Sequence, residues 1–399
     1  MTVKIAKGIA RGRITAPPSK SMAHRYLICG ALGEGKSVIS GIDFSDDVKA
    51  TLDCLKLLGA SVAANESNVT IGGLNPEKIK DGLQLFCNES GSTLRFLIPL
   101  CLLTGKVITL IGSERLFSRS LKVYEEICKN QEIRFEEHGG GVTLCGKLKG
   151  GEYFLPGDIS SQFISGLLFA LPMLPADSVI HITGVLESGS YLDLTVNALE
   201  QFGITVDRPN EKTFIIKGGQ RYVSQKIRAP GDYSNAAFFE CLNLAGGNVK
   251  IDGLNPQSAQ GDRVYRALFG KISDGCPQID VSDCPDLAPV LMVAAAMKNG
   301  ATFTGTRRLK IKESDRGAAM AAELKKFGIP VTVEENHIVV ASALLCPPGE
   351  SLYGHNDHRI VMALAVLCTL TGGEIEGAEA VRKSFPDFFT HLGRIMHET

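Results

Sequence analysis

The chain has 399 residues, 44% hydrophobic and 21% charged, with a formal net charge of -1. That length is more than one ordinary core, so two domains are expected, and the near-neutral charge gives no ground for general nucleic-acid binding. The 11 cysteines are scattered, odd in number and without a CxxC pair, which predicts reduced, mostly buried thiols rather than a disulfide framework.

The N-terminus, MTVKIAKGIARGRITAPPSK, has no apolar signal core, and the apolar run 164–174 is too short to span a bilayer. The expectation is a cytoplasmic protein with no membrane partner. Further along, a β-rich run ending in glycine recurs six times: SVISG (Gly41), VITLIG (Gly112), VIHITG (Gly184), NVKIDG (Gly253), ATFTG (Gly305) and GEIEG (Gly377). After each glycine come a polar loop and an amphipathic helix, as in LDCLKLLG and AAELKKFG, where the glycine reads as a C-cap. Stretches such as ASVAANESNVTIGG then read as hairpins. Before each glycine-terminated strand stands a helix apolar on every side, for example FISGLLFALPML and IVMALAVLCTL, which must be buried on every side. The repeat is therefore strand, buried helix, strand, amphipathic helix, hairpin, with QKIRAPGDYS starting the fourth copy.

The starts of the buried helices carry dense polar motifs: SKSMAHR (19–25), ESGSTLR (89–95), SSQ (160–162), GDYSN (231–235), CPD (284–286) and NDHR (356–359). Capping explains the hydroxyls and amides. It does not explain Lys20, Arg25, Arg95 and Arg359, since a cation near a helix N-terminus is disfavoured by roughly 0.3–1 kcal/mol. An anion among the helix ends resolves the conflict, because N–H groups and cations then point at the same charge. Arg115, Arg119, Lys312, Arg316, Arg382 and Lys383, placed after glycine-terminated strands, add to this reading of a ligand with several phosphates or carboxylates bound between two domains. GALGEGKS (30–37) matches the P-loop pattern, but with a helix before and a strand after it, the reverse of what a P-loop needs.

Taken in order, APPSKSMAHR, SGSTLR, SSQF, CPDLAP, KESDR, NDHR and KSFPDFF resemble the signatures of the 5-enolpyruvylshikimate-3-phosphate synthase family across nearly the whole chain. The resemblance implies an α/β, two-domain enolpyruvyl-transferase fold of six βαβαββ units, three per domain, with buried helices and an interdomain cleft. Residues 18–228 would form one domain, and 1–17 with 229–399 the other. The implied reaction moves the enolpyruvyl group of phosphoenolpyruvate to the 5-hydroxyl of shikimate 3-phosphate by addition and elimination, in a monomer, with no metal and no cofactor. By the same resemblance Asp286 takes the hydroxyl proton, Glu313 protonates C3, and Lys20 touches both substrates. Shikimate 3-phosphate contacts fall to Lys20, Ser21, Arg25, Ser160, Ser161, Gln162, Ser188, Tyr191, Asp286, Arg308 and Lys312. Phosphoenolpyruvate contacts fall to Lys20, Gly91, Arg119, Gln162, Arg316, Arg359 and Lys383. The bland alternatives are a helix N-cap for Asp286 and a solvated first-turn acid for Glu313.

Glu89 and Arg308 stand where many members carry Asn, and we expect them to form a compensating pair. His358 reads either as a site residue or as a helix-start histidine, and Arg95 as structural. The nearest alternative is UDP-N-acetylglucosamine enolpyruvyl transferase, whose mobile-loop cysteine has no counterpart in GSERLFSRS. A non-catalytic anion-binding protein of the same fold would need neither Asp286 nor Glu313.

Overall fold

The computed structural model describes residues 1–398. The chain divides into two compact units: Pro18–Ala229, called the N-unit below, and Met1–Pro17 together with the chain from Pro230 onward, the C-unit. Each has its own apolar core.

All six glycine-terminated runs form strands, at Lys36–Ser40, Ile108–Ile111, Ser178–Thr183, Asn248–Asp252, Ala301–Thr304 and Gly373–Glu376. The glycine that follows each has a positive φ in five cases, between 66° and 83° (Gly41, Gly184, Gly253, Gly305 and Gly377). An L side chain is strained there, which accounts for the recurring residue type. Four sheets share one pattern, in which a strand runs parallel to the glycine-terminated strand and a hairpin pairs antiparallel on its other side. In the second repeat, Leu83–Phe86 pairs parallel with Ile108–Ile111, which pairs antiparallel with Gly141–Cys145.

Two of the six repeats depart from the expected pattern. After the Tyr265–Asp274 helix the fourth has no hairpin, and the sixth ends at the chain terminus. Their sheets are completed by the N-terminal segment: Gly8–Thr15 runs parallel to Asn248–Asp252, and Thr2–Ile5 antiparallel to Gly373–Glu376. A second correction concerns Lys226–Arg228, which sequence order assigns to the start of the fourth repeat. It pairs instead with Lys36–Ser40 of the first. Each of these two pairings stays within one unit, and the chain passes from one unit to the other after Pro17 and after Ala229, just before a buried helix.

The six apolar helices are Lys20–Leu32, Gly91–Cys101, Ser161–Ala170, Tyr233–Leu244, Ala288–Met297 and His358–Thr371. Met22–Leu32, Ala288–Ala296 and His358–Thr369 are buried without interruption. Burying each Leu, Ile, Val or Phe is worth about 1.5–3 kcal/mol, which is what draws these helices inside.

Gly91–Cys101 and Ser161–Ala170 show how tightly the helices pack. A Cβ on Gly166 would collide with the Arg95 carbonyl and the Tyr124 hydroxyl. Pro99, inside the Gly91–Cys101 helix, cannot donate to the carbonyl four residues back, that of Arg95. Tyr124 supplies the missing donor: its Oη lies 2.7 Å from Arg95 O and 3.0 Å from Phe163 O. One buried hydroxyl thus ties together two helices whose starts carry the polar motifs. The P-loop look-alike is an ordinary helix-to-strand turn, with Lys36 exposed at the head of its strand. Eight of the eleven cysteines are buried, and none forms a disulfide among the described residues.

Candidate functional site

In the N-unit three buried helices begin at Ser caps. Ser19, Ser90 and Ser160 each accept a hydrogen bond from a backbone N–H of the first turn, worth about 1 kcal/mol apiece. From the first helix Lys20 Nζ reaches Asp47 Oδ2 at 2.8 Å. Arg25 is almost fully buried, and neutral groups hold it. Its Nε donates to Thr195 Oγ1 (2.9 Å), Nη1 to Ser21 O (2.7 Å) and Nη2 to Tyr191 O (3.0 Å), while the guanidinium lies 5.2 Å from the Phe96 ring centroid. Burial pulls its pKa down to about 10, still charged at neutral pH. Beside it His24 is driven well below its usual range by burial, then by Lys20 and Arg25. Neutral, it bonds through Nδ1 to Thr51 Oγ1 at 2.8 Å, from which a hydroxyl chain runs through Thr93 to Ser90.

The second and third helices meet over Gln162. Its Nε2 donates to Ser92 Oγ at 3.0 Å, and its Oε1 accepts from Arg95 Nη1 at 3.4 Å. Arg95 also donates to Arg119 O at 3.3 Å and covers the Phe163 ring, so it is built into the scaffold. A Cβ on Gly91 would lie 2.9 Å from Arg119 Nη1 and 3.0 Å from Arg95 Nη1. The glycine therefore makes room for two guanidiniums, a role that its assignment as a phosphoenolpyruvate contact does not include. Arg119 is half-buried whereas Arg115 is exposed. Ser161 is buried and Ser160 half-buried. Ser188 is buried with φ 56° and ψ 42°, a left-handed conformation uncommon for serine, at the start of the Gly189–Gln201 helix that carries Tyr191.

In the C-unit Arg316, Arg359 and Lys312 are held by carboxylates. Asp286 Oδ1 accepts from Arg316 Nη1 (2.8 Å) and Lys312 Nζ (3.3 Å), and Oδ2 from Arg359 Nη2 (2.8 Å). Arg316, 1% exposed, also donates to Glu313 Oε2 (2.7 Å) through Nη2 and to Asp357 Oδ2 (2.8 Å) through Nε. Asp357, fully buried, caps the His358–Thr371 helix by accepting from Arg359 N at 2.9 Å. Lys383 Nζ donates to Asn356 O at 2.6 Å. His358 is buried in the first turn.

Both bland readings of the acids fail on this geometry. The cap of the Ala288–Met297 helix is Leu287, with no side-chain cap bond. Glu313 precedes the Arg316–Lys326 helix, which Asp315 caps. Burial alone would raise the Asp286 carboxyl; Arg359, Lys312 and Arg316 override it and hold the group well below the usual carboxylate range. Lys312 is pushed the other way, down to about 8, by burial first and then by Arg308 and Arg316 against the pull of Asp286. Arg308 is buried in the C-unit and Glu89 half-buried in the N-unit. Sequence motifs missed Asp47 and Thr195, whose partners lie 27 and 170 residues away along the chain.

No cluster of three or more His, Cys, Asp or Glu that could hold a metal ion occurs among the described residues. No helix among them is long and apolar enough to cross a membrane.

Fold and sequence point the same way. A solved structure of EPSP synthase from Acinetobacter baumannii superposes with a TM-score of 0.80, covering 100% of this chain and 98% of that one, at 24% identity; this likeness defines the architecture. A family model described as EPSP synthase (3-phosphoshikimate 1-carboxyvinyltransferase) matches residues 6–392. A protein of Clostridium botulinum (strain Alaska E43 / Type E3) named 3-phosphoshikimate 1-carboxyvinyltransferase is 42% identical over 427 aligned positions, spanning 100% of this chain and 98% of its own length. One of the same name from Clostridium perfringens (strain 13 / Type A) is 41% identical, with 97% of each covered. The chain belongs to the EPSP synthase (3-phosphoshikimate 1-carboxyvinyltransferase) family.

Proposed function

We propose that the protein transfers the enolpyruvyl group of phosphoenolpyruvate to the 5-hydroxyl of shikimate 3-phosphate, releasing phosphate, as a monomeric cytoplasmic enzyme of aromatic amino acid biosynthesis. The observation that carries this reading is the C-unit charge cluster, in which Arg316 bonds Asp286, Glu313 and Asp357 at once. Addition requires a base at the attacking hydroxyl and an acid at C3 of phosphoenolpyruvate. It also requires cations to hold phosphate and carboxylate through the transition state. Asp286 is the base and Glu313 the acid.

A carboxylate locked to three cations is a weak base. The remedy lies in the same bonds. Arg316, Arg359 and Lys383 are the C-unit cations assigned to phosphoenolpyruvate; the N-unit residues assigned to it are the cations Lys20 and Arg119 and the uncharged Gly91 and Gln162. An arriving anion competes with Asp286 for the N–H groups of Arg316 and Arg359. As those bonds are shared out, the Asp286 pKa rises toward the ordinary range and the carboxylate can accept the hydroxyl proton. Loosening Arg316 from Glu313 likewise lets Glu313 carry the proton that C3 receives. Elimination then removes phosphate and a C3 proton. Ser21, Arg25, Ser160, Ser161, Gln162, Ser188 and Tyr191 hold shikimate 3-phosphate, with Arg308 and Lys312, and the hydroxyls suit its phosphate and diol.

The test is phosphate release from phosphoenolpyruvate with shikimate 3-phosphate or UDP-N-acetylglucosamine as acceptor. Release with shikimate 3-phosphate alone is expected. Release only with the sugar nucleotide, or with neither acceptor, would overturn the assignment.

A further inference from the structure

One carboxyl beside this cluster has no part in the mechanism above. Asp262, in the short helical turn Gly261–Val264, is 7% exposed. Facing it are Asp232 and Ser234 from the start of the Tyr233–Leu244 helix, Cys284 and Asp286 from the segment before Ala288–Met297, and Arg359 from the start of His358–Thr371. Its Oδ1 is buried with no hydrogen-bond partner among the described residues. The carboxylate bonds the Ser234 hydroxyl. Ser234 Oγ in turn accepts from Arg359 Nη1, and Arg359 Nη2 bonds Asp286.

A hydroxyl has one proton and two lone pairs. Ser234 can present a lone pair to Arg359 only while its proton points elsewhere, and the Asp262 carboxylate is the acceptor that takes it. We infer that Asp262 is a positioning residue: it orients the Ser234 hydroxyl so that Arg359 stays seated against Asp286, and it takes up a proton when an anion binds at Arg359. The second part follows from charge. Asp262 feels two other carboxylates, Asp286 and Asp232, and Arg359 is the cation that offsets them. A ligand anion that engages Arg359 adds negative charge beside Asp262 and draws off that compensation, so protonation becomes favourable. Burial, then Asp286, opposed by Arg359, already sets Asp262 at about 7, so the switch lies within reach of neutral pH.

The inference rests on the anion site of the proposed function, and its test separates the two. Calorimetric titration of the full-length protein with phosphoenolpyruvate at pH 7.5, in buffers of different ionisation enthalpy, counts protons taken up. At this pH a group with a pKa near 7 is about three quarters ionised, so wild type should take up several tenths of a proton more than Asp262→Asn. Asp262→Asn keeps an acceptor for Ser234 and should retain kcat/KM within about threefold. Asp262→Ala and Ser234→Ala break the relay and should lose about tenfold, and the Ser234 variant serves if Asp262→Ala fails to fold. Equal proton uptake in wild type and Asp262→Asn would overturn the proton role, and full activity in Ser234→Ala would overturn the positioning role. If wild type binds phosphoenolpyruvate or inorganic phosphate with this uptake but shows no turnover, the inference stands and the reaction assignment falls. If neither anion binds, both fall.

Discussion

The two units hold their buried arginines Arg25 and Arg316 by different means. In the N-unit Arg25 rests on a threonine hydroxyl and two backbone carbonyls. In the C-unit Arg316 rests on three carboxylates. Neutral partners leave a cation's charge available to a ligand, and the depressed pKa of Arg25 records the cost of burying it that way. Carboxylate partners cancel the charge until a ligand competes for it. The first arrangement suits standing capture of an anion, the second a proton-transfer group that becomes active only when substrate arrives.

The difference is sharpest on removal of a cation. Arg316→Ala leaves the fully buried Asp357 without its guanidinium, and breaking such a pair costs about 3–5 kcal/mol. Arg25→Ala leaves only neutral acceptors unsatisfied, about 1–3 kcal/mol. Urea denaturation of the two variants should show the larger midpoint shift for Arg316→Ala; equal shifts would erase the comparison.

Next in size is the effect on rate. Asp286→Asn should lower kcat by about 10²–10⁴-fold, the range for loss of a general base. It should also bind phosphoenolpyruvate at least as tightly as wild type, because a carboxylate competing for Arg359 and Arg316 is gone. Steady-state kinetics with direct binding measurements separates these effects, and a large loss of affinity would mean that Asp286 does not compete with substrate.

Gly91→Ala tests the N-unit's geometry. A methyl group there displaces Arg119, so KM for phosphoenolpyruvate should rise about tenfold, equivalent to about 1.4 kcal/mol, while kcat changes little. An unchanged KM would mean that the 2.9 Å approach to Arg119 is irrelevant to binding.

The smallest effect is a pH dependence confined to the C-unit. Lys312 is charged below about 8 and neutral above it, so substrate affinity should weaken as pH rises through 8. Lys312→Arg stays charged and should flatten that limb. A limb that persists in the variant would assign it to another group.

Much of the fold was legible because its signals are local. Five of the six glycines after the recurring strands have a positive φ, and helices such as Ala288–Met297 lack any polar face. The polar motifs were legible for a related reason: a cation at a helix N-terminus contradicts local electrostatics and so draws notice. What stayed hidden depends on chain-distant neighbours. Nothing near Asp262 in sequence shows that Asp286 and Arg359 face it, and nothing in GIARGRIT shows that it pairs with NVKID rather than with the strand that follows it. The CPD motif alone also allows Asp286 as a cap, and only the position of the helix start, at Ala288 beyond it, removes that reading. Thr195 looked like one more polar residue on an amphipathic helix, with no local sign that Arg25 needed it.

The central claim is that the C-unit acids carry out an addition and an elimination. Turnover in heavy water tests it directly, because protonation of C3 makes a transient methyl group whose hydrogens scramble with the solvent isotope before elimination. The account predicts deuterium in the product's methylene group with the wild-type protein, with incorporation and turnover suppressed together in Glu313→Gln. Product formed at full rate without deuterium would contradict it, since C3 would then never have been protonated.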